Sequence, residues 1–184
     1  MILPVYLYGS PVLRKRAEEI PEGYPGLKGI IESMFETMYH SDGIGLAAPQ
    51  IGLSIRIFIV DASPVESDDE SLKDFKRVFI NPEIISYEGD NVIYNEGCLS
   101  IPGIREDVSR ESKITIRYQD EHFEQHEEQF EGYPARIIQH EFDHLEGKLF
   151  TDKISLLRRR LLKSKLNEIT RGKVEVKYKI KNPR

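Results

Sequence analysis

With 184 residues, 39% of them apolar and 31% charged, the chain has the make-up of a globular protein with one sizeable core, which excludes disordered and fibrous classes. No apolar run is long enough to span a bilayer, and the opening MILPVYLYG lacks the basic region of a secretory signal. The formal net charge of −5 hides an asymmetry: from Lys153 onward there are twelve Lys/Arg against two acids, a balance of +10, leaving −15 on the preceding residues.

In chain order, the first clear element is a helix. Leu27, Ile30, Ile31, Met34, Phe35 and Met38 recur at helical spacing and stop at Ser41-Asp42-Gly43. IRIFIV (Ile55 to Val60), Val78 to Ile80 and Ile114 to Tyr118 are β-rich runs and are predicted as strands. Between the first two, ASPVESDDESLKDFK reads as an acidic surface excursion. HFEQHEEQFE, residues 122 to 131, is too polar for a buried strand and is placed on an exposed edge or hairpin. Pro134 suits the first turn of a helix running to Glu146, with Gly147 as its stop. A last helix follows from Ser155 to Ile169, with Leu157, Leu161, Leu162 and Leu166 facing inward, and VEVKYKI alternates enough for one more strand. Strands and helices without regular β-α alternation favour an α+β fold: antiparallel or mixed sheets around a central helix, plus an N-terminal and a C-terminal helix. Residues 1–184 are expected to form a single domain, with a basic helix and tail at about 153–184.

The central helix carries QHEFDHLEG, Gln139 to Gly147. On a helix, His140 and His144 lie one turn apart on one face and can grip one cation, while Glu141 can reach a metal-held water without being a ligand. A catalytic site usually needs a third protein ligand. Downstream, Glu168 is the best carboxylate and Asp152 a poorer one; upstream, Cys98 in NEGCLSIPG offers a soft thiolate that suits Zn²⁺ or Fe²⁺ beside two imidazoles. Cys98 is the only cysteine, so no intrachain disulfide can form, and a reducing cytoplasm is the expected location. The small residues of GIGLAAPQIG, Gly43 to Gly52, let backbone approach a ligand closely, and Gln50 adds an amide donor.

Together GIGLAAPQIG, EGCLS and QHEFDHLEG resemble the three signature motifs of the peptide deformylases, in that family's order. Supporting similarity runs from SPVLR through NPEI to GYPARIIQHEFDHLEGKLFTDK. The resemblance implies a hydrolase that removes the formyl group from the N-terminal formyl-methionine of newly made polypeptides, releasing formate. It implies Cys98, His140 and His144 as ligands of one divalent metal, natively Fe²⁺, with Zn²⁺ or Ni²⁺ able to take its place. Water activated on that metal would attack the formyl carbon, with Glu141 as general acid and base. Gln50 and the Leu99 N–H would face the oxyanion, and Gly45 would offer main-chain contacts to the substrate. Ile44, Glu96, Arg105 and Ile137 would lie around the pocket for methionine and the following peptide.

The implied partners are formyl-Met nascent peptides, with ribosomal RNA as a candidate contact for the basic C-terminal region; neither a membrane nor DNA is expected. Two rivals remain in view. A metalloendopeptidase would use His140, His144 and Glu168. A protein with a closed structural metal site would need a fourth ligand, for which His122 or His126 are the available histidines, in a segment that reads as surface.

Overall fold

The structure, a computed structural model, describes residues 1–65 and 69–183. The acidic excursion therefore lies partly outside the described residues.

The fold grows from one strand buried on both faces. In β3 (Ile57–Asp61) successive side chains point to opposite sides, so Ile57 and Ile59 face one way and Phe58 and Val60 the other. The first pair packs with Met34 and Met38 of α1 (Leu27–His40), and the second with Ala135, Ile138 and Leu145 of α2 (Gly132–Leu145). A strand covered by helices on both faces reads as a continuous apolar run, as Ile57 to Val60 does. Aromatic stacking reinforces the α2 side: the Phe58 and Phe79 rings lie 4.5 Å apart at 19°, and Phe79 meets Tyr118 at 4.4 Å.

Around this strand runs a five-stranded antiparallel sheet. Its order is β2 (Gly45–Ala47), β3, β4 (Lys76–Cys98), β5 (Ile101–Gln119) and β6 (Gln125–Glu131). The polar segment at 122–131 does form an edge strand, paired only with β5. β4 and β5 are far longer than the predicted runs at 78–80 and 114–118. Their pairing slips register at four places, between Ile80 and Glu83, Ile84 and Ser86, Glu88 and Asn91, and Gly97 and Cys98. Each slip breaks the period-2 pattern by which a strand is read.

α3 (Leu156–Thr170) starts on Ser155, whose hydroxyl accepts from the Arg158 N–H. It docks through Leu162, Leu166 and Ile169 onto Leu7, Ile104, Val108 and Phe150. Leu157 and Leu161, expected inside, are instead 67% and 63% exposed. A helix this basic presents only a narrow apolar stripe to the core, and those two leucines fall outside it. Of VEVKYKI only the last residue enters a strand, β7 (Ile180–Lys181), which pairs in parallel with β1 (Val5–Tyr6) in a separate two-stranded sheet. No described helix is long and apolar enough to cross a membrane.

α2 ends in a left-handed glycine cap. The Gly147 N–H donates to the His144 carbonyl at 3.3 Å, and the Lys148 N–H donates to that of Asp143 at 2.9 Å. Gly147 has φ +68°, and a Cβ there would sit 2.6 Å from the Arg14 carbonyl oxygen. Both facts forbid a side chain at the end of the helix that bears the histidines. Gly147→Ala should therefore destabilise the fold by more than about 1 kcal/mol, and denaturant unfolding of the purified variant will show it as a lowered midpoint with an unchanged slope.

Candidate metal centre and active site

Three elements deliver the chemistry. α2 presents His140 and His144 from consecutive turns, their rings 5.2 Å apart and nearly perpendicular. β4 ends at Cys98, whose Sγ lies 3.4 Å from His144 Nε2. Ligand atoms of Cys98, His140 and His144 all lie within 4.8 Å of one another, so these three residues could hold one metal ion. A thiolate and two imidazoles make a donor set suited to a borderline divalent cation. Burial, with the charge of His140 adding to it, pulls the His144 imidazole well below its ordinary pKa, so it stays neutral as a ligand must. His140 moves the other way: burial opposes its charge, but hydrogen bonding to Cys98 and Glu96 outweighs that and raises it well above the usual value.

Behind the histidines sits a buried charge cluster. Glu96 accepts from His140 Nδ1 at 2.8 Å, leaving Nε2 to face the cation position. The same carboxylate takes two hydrogen bonds from Arg110, at 2.8 and 2.9 Å, and one from Arg136 at 2.6 Å. Arg110 also reaches Asp143 of α2 at 2.7 Å. Burial would raise the Glu96 pKa, yet Arg110 and His140 hold it far below the usual carboxylate range.

Glu141 lies in a contrasting environment. It is buried, and its Oε2 has no hydrogen-bond partner among the described residues. Burial pushes its pKa up to about 7, against the pull of His140. A buried carboxyl with an unpartnered oxygen that titrates near neutrality is suited to receiving and returning a proton. The backbone of β2 passes so close that a Cβ on Gly45 would lie 2.5 Å from Glu141 Oε1. Gln50 is fixed by accepting from the Ala47 N–H at 2.9 Å, which turns its amide nitrogen toward Cys98 Sγ, at 3.4 Å, and the Ser100 hydroxyl, at 3.3 Å.

These groups open onto a cavity of about 590 Å³. Ile44, Gly45, Gln50, Leu99, Arg105 and Ile137 all line it. Two of the expected pocket residues are held differently from the others. Glu96 reaches the cavity but spends its carboxylate on His140 and the arginines, and Arg105 is tied to Asn95 through two hydrogen bonds at 2.9 Å. The rival ligands are elsewhere: Asp152 pairs with Arg14 at 2.6 Å, and Glu168 is exposed on α3. His126 bonds Asp120 at 2.7 Å at the edge strand.

Sequence reasoning missed Arg110, Asp143 and Tyr178. Arg110 lies in a segment that reads as polar surface, and Asp143, though inside the histidine motif, shows no partner within its own helix. Tyr178 donates to the Leu99 carbonyl at 2.7 Å, a contact across 79 residues that no local pattern reveals. Burial, with the Cys98 sulfur adding to it, pushes the Tyr178 phenol up to about 12, so it remains a donor at neutral pH.

The geometry brings the two histidines of an HExxH helix together with a cysteine from upstream, a set of three donors that could hold a metal ion. The chain matches the polypeptide deformylase family model over residues 2–160, and it belongs to that family. It is 51% identical to the peptide deformylase of Christiangramia forsetii over 190 residues, covering 100% of this chain and 97% of the relative. It is 52% identical to that of Flavobacterium johnsoniae over 188 residues, covering 98% and 96%. The crystal structure of peptide deformylase from Thermus thermophilus superposes with a TM-score of 0.82 at 39% identity, covering 93% of this chain and 99% of that one. The Thermotoga maritima enzyme gives 0.76 at 43%, covering 84% and 99%.

The ligand assignment has a direct test. Cys98→Ser should lose the metal on dialysis while Glu168→Ala retains it, measured as metal per protein by atomic emission. The reverse result would favour the peptidase arrangement.

Proposed function

We propose that this chain hydrolyses the formamide bond of peptides that begin with formyl-methionine, releasing formate and a free N-terminal amine. The observation that carries the reading is Glu141, buried with one unpaired carboxylate oxygen beside the Cys98, His140 and His144 donors at a cavity floor. Those three side chains would hold a divalent cation, natively Fe²⁺, with Zn²⁺ or Ni²⁺ compatible with the same donors. When bound, the cation supplies Lewis acidity and eases ionisation of a water at neutral pH.

The chain's own residues do the rest. Glu141 takes the proton from the attacking water and later returns it to the leaving amine nitrogen; a carboxyl that titrates near 7 can do both. The Gln50 amide and the Leu99 N–H face the oxygen on which charge develops, and losing one such donor typically costs about 2.7–4 kcal/mol of barrier. Ile44 and Ile137 offer the methionine side chain an apolar wall, and Arg105 stands at the rim beside them. Glu96 acts through His140, whose ring it orients. Gly45 keeps β2 tight against Glu141, and a Cβ on Gly43 would meet Leu99 Cδ1 at 3.0 Å, so the acyl position is narrow. Formyl carries a hydrogen where acetyl carries a methyl, and that wall would reject the methyl.

Formate release from a formyl-Met peptide tests the reading. The metal-loaded wild type should release formate, Glu141→Ala with equal metal should fall by at least about a hundredfold, and acetyl-Met peptide should be a poor substrate. No formate from the loaded wild type would sink the proposal, and equal turnover of the acetyl peptide would sink the steric account.

The substrate and the lone cysteine suit a reducing cytoplasm. The basic C-terminal region is proposed to contact ribosomal RNA through the outer face of α3, where Arg160 and Lys163 are exposed beside Leu157 and Leu161. Arg160→Glu combined with Lys163→Glu should abolish co-sedimentation with ribosomes at low salt while leaving peptide turnover intact. Unchanged co-sedimentation would refute that contact.

A further inference from the structure

The C-terminal segment beyond α3 lies outside the family match, yet it runs back to the cavity. After Gly172 it alternates: Val174, Val176, Tyr178 and Ile180 are half-buried, while Lys173, Glu175, Lys177 and Lys179 are exposed. That is an extended ribbon with one face on the protein. Its far end is anchored to the N-terminal segment, where the Val5 N–H donates to the Lys179 carbonyl at 2.9 Å and the Leu7 N–H to that of Lys181 at 3.1 Å.

The ribbon crosses the turn that joins Cys98 to β5. Two consecutive carbonyls of that turn are held by opposite ends of the chain. Tyr178 donates its hydroxyl to Leu99 O at 2.7 Å, and the Tyr8 N–H donates to Ser100 O at 2.8 Å. The Leu99 side chain also lies against Gly43, where an added Cβ would meet its Cδ1 at 3.0 Å. Glu175, Val176 and Tyr178 also line the cavity itself, and Asp42 adds a second carboxylate to its lining.

We propose that this tail is a working wall of the substrate cleft. In it Tyr178 is a positioning residue that sets the Leu99 turn, and Glu175 faces the peptide residues after the methionine and favours basic side chains there. The inference rests on the deformylase reading. Reaction geometry tolerates little displacement of a donor, so freeing Leu99 lowers turnover more than binding. An exposed carboxylate acts by charge on whatever passes it, with an effect that salt weakens.

The test uses the full chain loaded with Ni²⁺, and two probes, formyl-Met-Ala-Lys and formyl-Met-Ala-Glu. Tyr178→Phe is expected to keep KM within about twofold while kcat falls about threefold to tenfold, the scale of one lost neutral hydrogen bond. Glu175→Lys is expected to invert a severalfold preference of the wild type for the lysine probe. Wild-type kcat in Tyr178→Phe, or an unchanged probe ratio in Glu175→Lys, overturns the proposal. Should Tyr178→Phe prove unstable in thermal unfolding, the Glu175→Lys ratio decides alone, since that side chain is exposed. A wild type silent on both probes overturns the deformylase reading and this inference together.

Discussion

Everything at the site depends on one buried carboxylate. Glu96 of β4 is gripped by Arg110 of β5 and Arg136 of α2, receives His140 Nδ1, and through Arg110 is linked to Asp143 of α2. These contacts fix the spacing between the strand that ends in Cys98 and the helix that carries both histidines. A buried ion pair adds little stability over apolar packing of the same volume, but removing one partner costs about 3–5 kcal/mol. The cluster therefore matters for geometry: three elements can meet in only one register. Its pH behaviour follows from the sign of the shift. A carboxyl held low in the folded state contributes stability above its unfolded pKa, and that stability is lost only as the pH falls toward the folded value. The scaffold thus stays charged and locked across the range in which Glu141 titrates.

The two glutamates illustrate how surroundings assign roles. Glu96 and Glu141 lie close together, both buried. One is surrounded by donors and kept ionised; the other is desolvated, left with an unpaired oxygen, and poised near neutrality. Exchanging these environments would leave a base too weak to take a proton and an anchor too easily neutralised to hold His140.

The helices and the pair of facing histidines were legible because each rests on local spacing. The α1 stripe and the i, i+4 histidines are visible within a few turns of sequence. The β-rich run that became β3 was legible for the same reason. What escaped notice depends on pairing between distant segments. β4 and β5 hide behind register slips, so only their regular stretches were read as strands. Arg110 sits on the same buried face of β5 as Ile104 and Val108, and a charged residue in DVSRESK can be assigned there only once the carboxylates of Glu96 and Asp143 are seen opposite it. Leu157 and Leu161 failed in the other direction: their hydrophobicity pointed inward, but the docking stripe of α3 was already filled by Leu162, Leu166 and Ile169.

The origin of the third ligand decides what else can stand near the metal position. A ligand drawn from after the helix would have to come back past the Gly147 turn, where the chain instead packs Leu149 and Phe150 into the core under α3. Cys98 arrives at the end of a strand, and the turn that follows it brings Leu99 and Ser100 along. One short segment thus carries the proposed third ligand, the proposed backbone donor and the hydroxyl that Gln50 engages. The turn is held at both carbonyls by segments near the two ends of the chain, so the proposed ligand and the proposed donor share one set of anchors. In the proposed reaction that coupling matters, because the attacking water and the developing oxyanion must be held at fixed positions about one carbon. A site assembled from separate loops would have to hold that spacing through several independent contacts; here it is set by the covalent bond between Cys98 and Leu99.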